Sequence, residues 1–90
     1  MALDQNLLKT VDFGFQVQAF LGSDLGRYLT ARAESDITEA LHRLKSADPE
    51  DAKAIRALQT QVAVAENVLY WLAEAIQAGE AAEHQLKQGE

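Results

Sequence analysis

The chain has 90 residues, a hydrophobic fraction of 48 %, no cysteine and a formal net charge of −6. This length limits it to a single small domain, residues 1–90, with a thin core, and the lack of cysteine excludes disulfides and thiolate metal sites. The negative charge disfavours nucleic-acid phosphates, and no apolar run is long enough to span a membrane. Because no basic and apolar leader precedes it, we expect a cytoplasmic protein that binds neither nucleic acid nor membranes.

The first part of the chain is compatible with a strand or a helix. Between Val11 and Ala19, apolar residues alternate with polar residues and glycine, which is typical of a β-strand. Phe13 and Phe20 also share one helical face, however, and no other segment alternates in a way that would pair with a strand. We therefore predict a helix over roughly residues 5–21.

Two alternatives to this helix stay open. A strand over residues 11–19 would form if two subunits paired there. Separately, residues 1–19 could be a mobile or partner-binding arm. Within the helix itself, Gly14 is a weak point that costs about 1 kcal/mol relative to alanine.

Two short breaks divide the rest of the chain into two further helices. Gly22 suits a left-handed C-terminal cap, and Ser23 is a favourable N-cap for a second helix over about residues 24–46. Asp48 is the predicted N-cap of a third helix over residues 49–86. Because the link between these helices is so short, they must be antiparallel. The predicted fold is therefore all-α: an antiparallel helical hairpin with an N-terminal helix.

The third helix carries two apolar stripes. One has the spacing of a coiled-coil seam and is expected to face the second helix, and the other runs from Val64 to Ala82. At 1.5 Å per residue the third helix is about 55 Å long and the second about 35 Å, so the second cannot cover both stripes. The second stripe must therefore be covered by the first helix, by a second subunit or by both, and we predict a helical homo-oligomer. The predicted interface residues are Phe13, Phe20, Val64, Val68, Trp71 and Ala75. For Trp71 a second interpretation stays open, in which it is buried in the core of its own chain and its indole N–H has an internal partner.

No residue pattern commits the chain to a chemistry. Glu39 and His42 form a Glu-x-x-His pattern of the kind that di-iron bundles use, and a dimer would supply two copies. Both residues flank the apolar stripe of their helix, as on a solvated face, so we assign no metal and no cofactor. The serines are explained as cap or helix-end residues or lack a nearby histidine, and no phosphate-binding glycine loop occurs. We therefore predict no enzymatic activity and no catalytic residue.

Charged residues on the second helix predict ion pairs within this helix and between it and the third helix. Glu39 and Arg43 are four residues apart in the favourable order for an ion pair. Arg27 and Arg32 lack the surrounding positive charge of a nucleic-acid site, so we expect them to form salt bridges with the acidic third helix.

Two stretches of the chain resemble a known group of proteins. The first is Phe20-Leu21-x-Ser23-x-x-Gly26-Arg27-Tyr28-Leu29, followed by Arg32-Ala33-Glu34. The second is Trp71-Leu72-Ala73-Glu74-Ala75-Ile76-x-x-Gly79-x-x-Ala82-Glu83-x-x-Leu86. With these stretches, residues 20–86 resemble small helical proteins encoded by tailed bacteriophages and prophages. The resemblance implies that the protein belongs to a bacteriophage or prophage, and it carries over no catalytic residue.

These observations together favour a non-enzymatic structural or interaction protein. The resemblance implies a bacteriophage morphogenesis or virion component, located in the cytoplasm of a bacterial host or in the particle. The alternative is a small acidic inhibitor or regulator that binds a host protein through its acidic face. Two further alternatives, a ferritin-like di-metal oligomer and a small DNA-packaging factor, would need a metal site and a basic surface respectively.

Overall fold

The computed structural model describes residues 4–89, and within this range the chain forms three α-helices and no strand. α1 covers Gln5–Gly22, α2 covers Asp24–Lys45 and α3 covers Ala52–Gln88. The predicted all-α fold is therefore confirmed, and the segment that alternates in sequence is helical. Of the suggested N-terminal arm, residues 1–3 lie outside the described range. None of the described helices combines the length and the hydrophobicity needed to cross a bilayer.

The first helix begins at a well-formed cap. The carboxylate of Asp4 accepts hydrogen bonds from the backbone N–H groups of Asn6 at 2.9 Å and Leu7 at 3.3 Å. These bonds satisfy two of the N–H groups that a helix start leaves without an intrahelical acceptor, and the negative charge suits the helix dipole. The sequence between this cap and Gly22 is therefore helical despite its alternating pattern.

The helices form two compact units, and α3 contributes to both. The first, which we call the crossing unit, lies within residues 4–27 and 71–89 and contains α1, the first turn of α2 and the second half of α3. The second, which we call the hairpin unit, is Tyr28–Tyr70 and contains the rest of α2 and the first half of α3.

The hairpin unit is packed through small side chains. Ala33, Ala40 and Ala65 are buried between its two helices, and Ala40 has no exposed surface at all. The side-chain amide of Gln61 on α3 donates a hydrogen bond to the backbone carbonyl of Asp36 on α2 at 3.1 Å. The alanines permit close approach of the two helices, and the hydrogen bond fixes their register. The predicted antiparallel hairpin is therefore confirmed in this unit.

The cap of α3 differs from the prediction made for Asp48. The Asp48 carboxylate accepts a hydrogen bond from Glu50 N–H and its carbonyl accepts one from Asp51 N–H, both at 2.9 Å, so these residues form a turn. The carboxylate of Asp51 accepts from Ala54 N–H at 3.0 Å and thereby caps the helix. Asp48 is followed by Pro49, a pair that favours a turn, so the capping role falls to the later aspartate.

In the crossing unit, α1 and α3 meet at two glycines. A β-carbon placed on Gly14 would lie 3.0 Å from the Cα of Gly79 and 3.3 Å from the carbonyl oxygen of Ala75. A β-carbon on Gly79 would meet Gly14 at the same distance, and the carbonyl oxygen of Thr10 at 3.3 Å. Neither position has room for a side chain unless the helices separate. Gly14 is therefore a weak point of α1 in isolation and a requirement of the helix crossing.

A single residue, Ser23, separates α1 from α2 and belongs to the caps of both. Its hydroxyl donates to the carbonyl of Phe20 at the end of α1, and its oxygen accepts from Gly26 N–H at 3.0 Å at the start of α2. The left-handed cap expected at Gly22 is wrong, because Gly22 ends α1 in helical conformation and Ser23 continues in extended conformation. Since Ser23 binds the free carbonyl itself, no left-handed residue is needed.

Gly26 allows α2 to start directly against the end of α1. A β-carbon at this position would overlap the carbonyl group of Phe20 and would lie 2.8 Å from the Cα of Leu21. Both obstacles are backbone atoms, which cannot move aside as the end of a side chain can. The tight turn between the two helices therefore requires glycine here.

Two glycine substitutions test this turn. We expect Gly26→Ala to lower the free energy of unfolding by about 2 kcal/mol or more, because the added methyl group must displace backbone. Gly22→Ala is the matched control, since nothing lies within 4 Å of a β-carbon there, and it should raise stability by up to about 1 kcal/mol. Urea unfolding followed by circular dichroism at one protein concentration measures both. Equal stability of the two variants would contradict the role given to Gly26.

Candidate interaction surface

Most large apolar side chains of the described residues are half-buried, and nine of them are exposed. Among the described residues, the buried hydrophobic positions are one valine and four alanines, and no large side chain is completely buried. Scattered exposed hydrophobic residues are normal, but contiguous ones mark binding surfaces. The exposed large hydrophobic residues are Leu8, Phe13, Phe15, Leu25, Tyr28, Leu41, Val64, Tyr70 and Trp71.

Two of these side chains line a groove in the crossing unit, which we call the aromatic groove. Phe13 is 56 % exposed and Trp71 is 62 % exposed, and the groove that they line has a volume of about 370 Å³. One wall belongs to α1 and the other to α3. The α1 wall is Lys9, Thr10 and Phe13, and the α3 wall is Trp71, Glu74, Ala75 and Ala78.

The two walls of the aromatic groove carry opposite charges. Lys9 lies on the α1 wall and Glu74 on the α3 wall, and both side chains are exposed. Neither residue takes part in an ion pair within residues 4–89. The groove is thus an apolar floor with a cation on one side and a carboxylate on the other, which suits an apolar partner with the opposite arrangement of charge.

A second groove lies within the hairpin unit, and we call it the hairpin groove. It has a volume of about 400 Å³ and is lined by Leu29 and Ala33 from α2 and by Val64 and Val68 from α3, among others. Val64 is 60 % exposed. The charged residues at this groove are both on the α2 wall, so it has no charge difference between its walls.

The predicted interface residues are divided between these places. Phe13, Trp71 and Ala75 line the aromatic groove, whereas Val64 and Val68 line the hairpin groove. Phe20 is half-buried at the end of α1 and lines neither groove. The structure therefore brings together three of the six predicted residues in one groove and two in another.

Sequence reasoning missed the charged residues of the aromatic groove. Lys9 precedes Phe13 by four residues and Glu74 follows Trp71 by three, which are the spacings of neighbours on one helix face. The signal was therefore present, but it becomes meaningful only when α1 and α3 are known to form the two walls of one groove.

The ion pairs of α2 are local. The predicted pair of Glu39 with Arg43 is confirmed at 3.7 Å. The salt bridges expected between α3 and the arginines at positions 27 and 32 are wrong, because Arg27 pairs with Asp24 and Arg32 with Asp36, each at 3.3 Å. A partner one helical turn away is reached with little loss of side-chain entropy. All these pairs are exposed and therefore contribute little to stability.

Arg32 is engaged by two side chains of its own helix. Hydrogen bonding with the Tyr28 side chain, together with the hydrogen bond and negative charge of Asp36, raises the pKa of Arg32 above its ordinary value. Its guanidinium is therefore charged at every physiological pH and is already engaged within its own helix.

The Glu-x-x-His pattern does not gather further ligands. Glu39 and His42 line a shallow depression on the surface of α2 together with Ala31, Ser35 and Thr38. Within the described part of the chain, no three His, Asp or Glu side chains are close enough together to hold a metal ion. The aromatic groove and the hairpin groove are therefore the surfaces that invite a functional interpretation.

No family model, no curated protein and no solved structure matches this chain.

The glycine crossing that holds the walls of the aromatic groove together is open to a direct test. We expect Gly14→Ala and Gly79→Ala each to lower the free energy of unfolding by about 1–3 kcal/mol, because a methyl group at either position pushes the other helix away. In the double variant the free energy of unfolding should fall by less than the sum of the two single losses, since the first methyl group already separates the helices. Chemical denaturation at a fixed protein concentration measures these differences.

Gly89→Ala is the control for this series. A β-carbon at Gly89 would meet only its own helix end, at 3.5 Å and 3.7 Å, which is ordinary van der Waals contact. This substitution should change stability by less than about 0.5 kcal/mol. If Gly14→Ala is no more destabilising than this control, the helices are not in close contact at that point.

Proposed function

We propose that this protein is a non-enzymatic helical interaction protein that functions as a homo-oligomer. The observation that carries the proposal is that Phe13 and Trp71 line one open groove and Val64 lines another, each of them more than half exposed. Burying a large apolar side chain completely is worth roughly 1.5–3 kcal/mol, so these residues hold much of the stabilisation available to so short a chain.

The buried residues explain why association is needed. The buried hydrophobic positions are mainly alanines and the larger apolar side chains are half-buried or exposed, apart from Val17, so the isolated chain leaves apolar surface in contact with water. A chain of 90 residues without disulfides has few other sources of stability. Small scaffolds of this kind commonly obtain the missing burial by oligomerisation. A second copy of the same chain is a partner present wherever the protein is made, and most assemblies of identical chains are symmetric.

The setting that we propose is a tailed bacteriophage or prophage, in which the oligomer serves particle assembly or the virion itself. This part of the proposal is supported by the resemblance of residues 20–86 to small helical proteins of such phages. Its location would then be the bacterial cytoplasm or the particle. The net charge of −6 agrees with a role in contacts between proteins more than with binding to the packaged DNA.

The oligomer can be followed through the single tryptophan of the chain. If Trp71 is covered by another copy, its fluorescence emission should lie at shorter wavelength in the oligomer and shift to longer wavelength on dilution. Size-exclusion chromatography with light scattering gives the mass over the same concentrations. A folded monomer at every concentration, with the emission of an exposed indole, would contradict the proposal.

Two adjacent aromatic residues provide a matched pair of variants. Trp71 and Tyr70 are each 62 % exposed, but they point in directions about 100° apart on α3. We expect Trp71→Ala to weaken self-association by about tenfold to a hundredfold, because tryptophan at an interface centre is a common hot spot. Tyr70→Ala, which lies outside the aromatic groove, should change association little. The mass measured by light scattering distinguishes the two, and an equal effect of both would place the interface elsewhere.

A further inference from the structure

We propose that the aromatic groove of one copy binds the aromatic groove of a second copy across a two-fold axis that runs along the groove. In this arrangement α1 of each copy lies over α3 of the other, and Lys9 of each copy pairs with Glu74 of the other. The inference rests on the proposed homo-oligomer and specifies its surface, its symmetry and its charged contacts.

The shapes of the two walls favour this arrangement. The α1 wall presents Phe13, which is more than half exposed, whereas the α3 wall presents the two small residues Ala75 and Ala78 beside Trp71. When α1 of one copy lies over α3 of another, each Phe13 faces the alanines, and each Trp71 lies beside them within the contact. Aromatic side chains that enter recesses of small residues are the usual centre of a tight interface.

The charges distinguish between the two symmetric ways of stacking the groove on itself. If the two-fold axis runs along the groove, the α1 wall meets the α3 wall, and Lys9 faces Glu74 twice. If the axis runs across the groove, each wall meets its own copy, and Lys9 faces Lys9 while Glu74 faces Glu74. Like charges placed opposite each other disfavour the second arrangement. Because neither residue has an ion-pair partner within the described part of its own chain, both are available to the second copy.

The hairpin groove lacks these properties. Its charged residues, Arg32 and Asp36, share the α2 wall and pair with each other, and Gln61 of the α3 wall already donates to the backbone of Asp36. It therefore offers no charge complementarity to a second copy of itself. The observations favour the aromatic groove as the site of the two-fold contact.

Charge reversal at the two positions tests the proposal. In Lys9→Glu alone both intermolecular pairs become Glu–Glu, and in Glu74→Lys alone both become Lys–Lys. Each single variant should therefore dimerise about tenfold more weakly than the natural chain. The chain that carries both changes restores two attractive pairs and should dimerise about as tightly as the natural chain.

Mixing the two single variants gives the sharpest result. A dimer of one Lys9→Glu chain with one Glu74→Lys chain has two Glu–Lys contacts, so mixed dimers should exceed the proportion that random exchange gives. Native mass spectrometry with one variant labelled with ¹⁵N measures this proportion directly. The excess should decline with added salt, because exposed pairs are screened.

Control variants separate the specific contact from general effects of charge. Glu50→Lys and Lys53→Glu alter exposed residues outside the aromatic groove, and their mixture should exchange at random. The neutral variants Lys9→Gln and Glu74→Gln should each weaken dimerisation by only about threefold, and they preserve the test if a reversed charge disturbs folding. Circular dichroism confirms that each variant is helical before it is mixed.

The outcomes separate this inference from the proposed function. If the natural chain is monomeric at all concentrations, both the homo-oligomer and the two-fold contact are wrong. If it forms an oligomer but the mixture of charge-reversed variants exchanges at random, the homo-oligomer stands and the Lys9–Glu74 contact is wrong. An excess of mixed dimers supports the inference if each single variant also dimerises more weakly than the natural chain and the doubly substituted chain recovers. Single variants that dimerise as tightly as the natural chain would contradict it, because they are expected when each wall meets its own copy.

Discussion

Close helix packing through small residues is the constraint on which the rest of this structure depends. In the crossing unit, Gly14 and Gly79 bring two backbones together, and in the hairpin unit the buried positions are alanines such as Ala40. Helices that approach on such residues leave no space between them for large side chains, because protein interiors have few voids. The aromatic residues are therefore displaced to the flanks of the helix pairs, where they form the walls of open grooves.

This packing divides the sources of stability between the isolated chain and its association with another surface. Buried alanines contribute little transfer free energy, so the isolated chain depends on its half-buried aliphatic side chains, on helix formation with caps at Asp4, Ser23 and Asp51, and on the helix crossing. The larger gain, from phenylalanine and tryptophan, becomes available only when another surface covers them. Folding and association would then be thermodynamically linked, and the measured stability of the natural chain would rise with its concentration.

The sequence was sufficient for the fold and insufficient for the contacts. The periodicity of α3 and the short link before it determine an all-α hairpin, and the helical face shared by Phe13 and Phe20 identifies α1 correctly. The N-cap of α3 was harder to predict than the helix itself. Asp48 and Asp51 have the same side-chain chemistry, and only the geometry of the turn decides which of them caps the helix. The role of Gly14 could not be predicted from the sequence of α1 alone. It depends on the contact with Gly79 on α3, sixty-five residues later in the chain.

The net charge of −6 makes the position of each cation informative. Two copies of an acidic chain repel each other, and added salt reduces that repulsion. A Lys9–Glu74 contact would be weakened by the same salt, so the two effects oppose each other and association of the natural chain should depend only weakly on ionic strength. Most cations elsewhere on the described helices, such as Arg32 and Arg43, are paired within one turn and cannot supply such a contact without losing a partner. Among the cations that take part in no ion pair within the described residues, Lys9 is the one that lines the aromatic groove, and for this reason it is the cation of the proposed contact.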